Sequence, residues 1–118
     1  MTQAIEVDWF YDNLTNNTTP PAGMIAVERV YCLDFNNFGD AEWQRLTAIC
    51  NELPERKPDS SDGCPWWFGS DHASPPFLFA SVEPSGWLVS GVLSADAWQA
   101  WDTQLQLATT ELPRFACG

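Results

Sequence analysis

Apolar and polar residues alternate near the start of the chain: Ile5, Val7 and Trp9 fall on one side of an extended backbone, and Glu6, Asp8 and Phe10 on the other. A period of two marks a half-buried strand and predicts one over residues 4–11. Residues 12–23 are rich in Asn and Thr and carry Pro20 and Pro21, so they read as a long loop. The strand pattern resumes over 24–35 through Ile25, Val27, Tyr31 and Leu33, and the two strands are expected to pair as a long-looped hairpin.

The period then changes. After Asp40, the residues Trp43, Leu46, Cys50 and Leu53 recur at helical spacing, which predicts an N-capped amphipathic helix over 41–53 that Pro54 stops. Residues 55–65 are polar and read as exposed loop, Trp66-Trp67-Phe68 as a short strand, and 71–76 as loop again. Segments 77–83 and 87–93 are aromatic and aliphatic, and Pro84-Ser85-Gly86 joins them as a hairpin with Gly where φ must be positive. Ser94 then stands at the N-cap of a second helix over 95–108, with Asp96 in its first turn and an apolar stripe of Trp98, Trp101, Leu105 and Ala108. The two stripes mark Trp43, Trp98 and Trp101 as core residues. The tail from Thr109, interrupted by Pro113, is expected to add an edge strand or to lie on the surface.

Each helix has one apolar stripe to bury, so the economical fold is α+β, an antiparallel sheet of four to five strands with both helices on one face. The order also reads as a loosely duplicated ββα pattern. Asp40-Ala41-Glu42-Trp43-Gln44 and Asp96-Ala97-Trp98-Gln99 open the two helices alike if a one-residue gap is allowed.

Composition sharpens this to a single folded domain over 1–118. The chain has 118 residues, 45% hydrophobic and 14% aromatic with seven Trp, enough for a packed core. Against 16 Asp and Glu stand 5 Lys and Arg, a net charge of -11. That charge repels a phosphate backbone and an anionic membrane surface, so neither nucleic acid nor membrane is expected as a partner. No stretch approaches the roughly 20 apolar residues of a membrane span, and Glu6, Asp8 and Asp12 oppose a signal peptide, so the expected location is cytoplasmic.

Candidate chemistry is sparse. Cys32, Cys50, Cys64 and Cys117 form no Cys-x-x-Cys pair and are expected to be free thiols that hold no metal or cofactor, with Cys50 a small hydrophobe on its helix stripe. His72, the one histidine, follows Asp71 and lies eight residues beyond Cys64. Those residue types suit a nucleophilic pair with an acidic orienter. No motif surrounds them, however, and Asp71 would point away from its neighbour in an extended loop. With 16 acids no carboxylate pair stands out for glycoside hydrolysis, and phosphate loops, nucleophile elbows and calcium loops are missing from the sequence. No catalytic residue is assigned, and binding is the expected activity.

The most unusual cluster is Trp66-Trp67-Phe68, bracketed by Pro65 and Gly69. Two of its rings are expected in the core with one over a helix end; alternatively, Trp66 or Trp67 stays exposed as an apolar anchor among Glu52, Glu55, Asp59, Asp62 and Asp71. Segment 52–71 is therefore the candidate partner-binding surface. Arg56 and Lys57 dilute its charge. The first 42 residues compete with it, holding seven acids against Arg29 alone, but those acids are spread over strands and helix starts.

In size, acidity, α+β make-up and expected location the chain resembles bacterial immunity proteins, which neutralise toxins delivered by neighbouring cells. The resemblance implies an inhibitor that occludes a basic surface on a cognate toxin, such as a nuclease with a basic cleft. It rests on general character and assigns no residue. Two alternatives stand beside it: a phage-type DNA mimic that blocks a nuclease or restriction system, and a small enzyme or ligand-binding domain using the Cys64 and His72 region.

Overall fold

The structure, a computed structural model, describes residues 9–12, 19–58 and 63–115. Its strands are β1 (Phe10–Asp12), β2 (Ile25–Tyr31), β3 (Arg56–Lys57), β4 (Trp66–Trp67), β5 (Phe77–Glu83) and β6 (Gly86–Leu93). They form one antiparallel sheet in the order β1-β2-β6-β5-β4-β3. Helix α1 (Asp40–Glu52) joins β2 to β3, and α2 (Ala95–Ala108) follows β6. The fold is thus α+β with six strands, slightly more than the four or five expected. The extra one is β3, in a segment expected to be loop. There Arg56 and Lys57 pair with Trp67 and Trp66, and Phe68 N–H donates to the Glu55 carbonyl at 2.8 Å, so the outer backbone edge of β4 finds partners within the chain.

Of the first expected strand, residues 4–8 lie outside the described residues, as do Asp59, Asp62 and Cys117. β2 stops at Tyr31 rather than 35; Leu33 bridges to Arg114 in the tail, and Phe35–Asn37 turn as a 3-10 helix. α1 starts one residue earlier than expected, with Gly39 as its cap. The Glu42 carboxylate accepts from Gly39 N–H at 2.7 Å, half of a capping box, which leaves Asp40 in the first turn. α2 follows the sequence expectation, its Ser94 hydroxyl accepting from Ala97 N–H at 3.1 Å.

The hairpin needs its glycines. Gly86 has φ +136°, and a Cβ there would lie 2.5 Å from the Tyr31 carbonyl oxygen. At Gly91 a Cβ would meet the Phe77 carbonyl oxygen at 2.2 Å.

One sheet face carries Tyr31, Trp67, Leu78, Ala80, Trp87, Val89 and Leu93, and both helices bury it with Leu46, Ile49, Leu53, Trp101 and Leu105. Its centre is aromatic: Trp101 lies 5.0 Å from Trp67 and 6.4 Å from Trp87 between ring centroids. Trp67 Nε1 donates to the Cys50 carbonyl at 3.1 Å, and Gln104 Nε2 to the Glu52 carbonyl at 3.0 Å, so polar bonds fix α1 to the sheet and to α2. Trp101 is a core residue as expected, and Trp98 is half-buried against the core. Trp43 is not core. It is 38% exposed, because in the first turn of α1 it packs on the preceding aromatic turn rather than on the sheet.

A second correction concerns the thiols. Cys32 is disulfide-bonded, so the expectation of four free cysteines fails there.

Candidate functional site

Strand periodicity decides the fate of the adjacent tryptophans. Successive residues of β4 point to opposite faces, so Trp67 enters the helix-covered core while Trp66 joins the other face. There Trp66 stacks on Phe79 at 4.9 Å, and the exposed His72 ring stands edge-on to Trp66 at 4.9 Å and to Phe79 at 5.0 Å. Trp67 is fully buried and Trp66 is 6% exposed, so neither ring is available as a surface anchor. The reading in which rings of this cluster plug the core holds for Trp67, whereas Trp66 is buried on the opposite sheet face. Glu52, Glu55 and Asp71 are exposed, whereas Asp59 and Asp62 lie outside the described residues. Asp71 accepts from Ala73 N–H at 2.9 Å and shapes its own turn. Segment 52–71 therefore presents acids without an exposed Trp among them. His72, in the region named for the enzyme alternative, stands here as an aromatic neighbour of Trp66 and Phe79.

An aromatic group with one exposed ring, Trp43, and acids in the same stretch lies between β2 and α1. Phe35 and Phe38, at either end of the 3-10 turn, lie 5.0 Å apart; Trp43 stacks on Phe35 at 5.1 Å with planes 7° apart and meets Phe38 edge-on at 4.9 Å. Asp34, Asp40 and Glu42 belong to the same stretch. Asn37 donates to the Asp34 carboxylate, which orients one oxygen of it. Next to Phe35 opens a cavity of about 300 Å³ lined by Leu33, Asp34, Phe35, Asn36, Val82, Glu83, Pro84 and Phe115. Three segments meet there: the end of β2, the β5–β6 turn and the tail. Val82 is 53% and Phe115 41% exposed, so the apolar surface runs from Trp43 through Phe35 to the cavity rim.

The tail is placed by backbone bonds, Asp34 N–H to the Pro113 carbonyl at 2.9 Å and Phe115 N–H to the Cys32 carbonyl at 3.0 Å. Arg114 is turned away from the acids. Its guanidinium lies 3.7 Å from the Trp9 ring centroid and donates to the Gln106 carbonyl and Thr109 Oγ1, and burial lowers its pKa.

A second polar group, on the helix-covered face, is a clamp rather than a site. Arg29 forms a two-point pair with Asp12 at 2.7 and 3.2 Å, reaches Asp102 at 3.1 Å, and lies against the Phe10 and Trp98 rings. Tyr31 donates to Asp102 at 2.5 Å. Burial, then the Asp102 charge, hold the Tyr31 hydroxyl well above its ordinary pKa. Burial works against the Arg29 charge, but the bond to Asp12 and the neighbouring Tyr31 and Asp102 outweigh it and hold its pKa up. These contacts tie β1, β2 and α2 together.

Among the described residues no group of three or more His, Cys, Asp or Glu side chains is placed to hold a metal ion. No helix among them is long and apolar enough to cross a membrane. The chain matches no family model, no curated protein and no solved structure.

The signal for the Trp43 surface was present in the sequence as three aromatics and three acids within residues 34–43. The helical stripe masked it, since Trp43 has core spacing.

Proposed function

We propose that the chain is an acidic inhibitor that binds and occludes a basic surface on another protein, in the manner of an immunity protein paired with a cognate toxin. The observation that carries this reading is the Trp43, Phe35 and Phe38 cluster, in which Trp43 is exposed and both phenylalanines are half-buried, with Asp34, Asp40 and Glu42 in the same stretch of a chain of net charge -11. Buried aromatic anchors supply most of the energy of a protein interface, while complementary charge speeds encounter. Both parts are supported here at one place. A DNA mimic would instead spread its carboxylates without an apolar centre.

Location belongs to the same reading. The disulfide at Cys32 is a bond that oxidising compartments preserve. The disulfide favours action outside the reducing cytoplasm.

The test is capture from the cells that naturally make the protein, with wild type beside a variant carrying Trp43→Ala and Glu42→Gln. The expected result is a basic protein retained by wild type, lost from the variant, and inhibited by wild type once purified. A partner that binds both proteins equally, or that keeps full activity in the complex, would refute the reading.

A further inference from the structure

We infer that the disulfide at Cys32 is closed by Cys117 and acts as a reducible latch, holding Phe115 at the edge of the cavity beside Phe35 in oxidising surroundings and releasing it in reducing ones. The latch belongs to the chain alone and needs no partner.

Place in the fold selects the second cysteine. Cys32 stands between Tyr31 and Leu33, both in the core, so its own side chain points to the sheet face that the helices leave uncovered. Cys50 packs in the core on the helix side, across the sheet from it. Cys64 precedes Pro65, whose carbonyl accepts from Ala80 N–H at 3.2 Å on the side of β5 away from β2. That is about three strand spacings from β2, roughly 14 Å. Bridged cysteines need Cα atoms within about 7 Å and Cβ atoms directed at each other. Cys117 comes within reach: it follows two positions after Phe115, whose N–H donates to the Cys32 carbonyl at 3.0 Å, and two residues span at most about 7 Å.

The contacts of the tail make this bond a local latch rather than a staple for the whole fold. Leu112 is buried in the core, Arg114 bridges to Leu33, and the Arg114 guanidinium donates to the Gln106 carbonyl and Thr109 Oγ1 and lies on Trp9. The tail is thus docked through Arg114 without help from the disulfide. Among the described residues Phe115 has one backbone bond beyond that point, the one to Cys32, and a single hydrogen bond on a half-exposed residue is a weak hold. Of the residues lining the cavity, Phe115 alone comes from the tail. Its release widens the hollow beside Phe35 and changes the surface next to the Trp43 cluster. An external dithiol completes the chemistry: its two thiols pass two electrons and two protons to the S–S bond, leaving Cys32 and Cys117 as thiols and the dithiol as its own disulfide.

The pairing is tested by a tryptic digest of the full chain, unreduced and with thiols blocked. Cleavage after Arg29, Arg45, Arg56 and Arg114 puts Cys32, Cys50, Cys64 and Cys117 on four separate peptides. Peptide 30–45 joined to 115–118 is expected, and 30–45 joined to 46–56 or to 57–114 would overturn the assignment. The latch is tested by amide NMR of the full chain with and without dithiothreitol. Reduction should shift the Asn36, Ser85 and Phe115 amides and speed exchange of the Phe115 N–H about tenfold, the effect of losing one hydrogen bond, with the signals of β5, β6 and α2 in place. Cys117→Ser should give the reduced spectrum without reductant and should not respond to dithiothreitol. A Phe115 amide unchanged by complete reduction, collapse of the whole spectrum on reduction, or a Cys117→Ser variant that keeps the oxidised spectrum would overturn the latch. Digest and reduction are both read on the wild-type chain, so the test holds if the variant fails to fold.

Discussion

Two aromatic, acid-flanked stretches of this chain look alike in sequence and end in opposite places. At 66–67 two adjacent tryptophans sit in a polar segment, and both are buried. At position 43 a single tryptophan has the spacing of a buried helix face, and it is exposed. The difference lies in what the backbone does around each. A two-residue strand sends adjacent rings to opposite faces of a sheet, and here each face has aromatic rings to receive one. The first turn of a helix depends instead on what precedes it, and the chain before α1 turns back and presents Phe35 to Trp43. Apolar spacing identifies the side of an element that wants cover; the neighbours decide whether cover comes from the core or from a local cluster.

The largest effects should separate these regions by stability. Trp67→Ala removes a fully buried ring and its bond to the Cys50 carbonyl, and should cost about 3 to 5 kcal/mol in urea unfolding. Trp43→Ala should cost far less, about 1 kcal/mol, since the ring is partly in water. Equal losses would erase the contrast. Affinity for the purified partner should invert the order: Trp43→Ala should weaken binding by about 2 kcal/mol, roughly thirtyfold. Glu52→Gln with Glu55→Gln should leave it nearly unchanged.

A smaller effect marks the interior along the pH axis. The Tyr31 hydroxyl titrates higher in the folded chain than in the unfolded one because it is buried and bonded to Asp102. Folding therefore keeps a proton that the unfolded chain gives up. The associated stability is intact below about pH 10, where the unfolded tyrosine begins to ionise, and falls as pH rises further. Tyr31→Phe should cost about 1 to 2 kcal/mol at neutral pH and flatten the alkaline slope of the unfolding free energy. A slope identical to wild type would contradict the assigned bond.

The sequence carried the large elements well. Periodicity located both helices and the β5–β6 hairpin, and capping chemistry at Ser94 fixed the start of α2. It failed where structure depends on distant partners. β3 exists because β4 has an edge to satisfy, and Arg56 and Lys57 alone have no strand signal. Scattered spacing likewise hid the disulfide at Cys32, since bonding follows proximity in the fold. The exposure of Trp43 was not legible, because it depends on a turn that periodicity does not describe.

A partner bound as proposed covers the Trp43 end rather than segment 52–71. Amide hydrogen exchange of the chain alone and in complex with its purified partner tests it most directly. Protection should rise in peptides spanning 34–43 and 82–86 and in those ending near Phe115, with 52–58 and 63–71 unchanged. New protection confined to 52–58 and 63–71, with 34–43 exchanging as in the free chain, would contradict it.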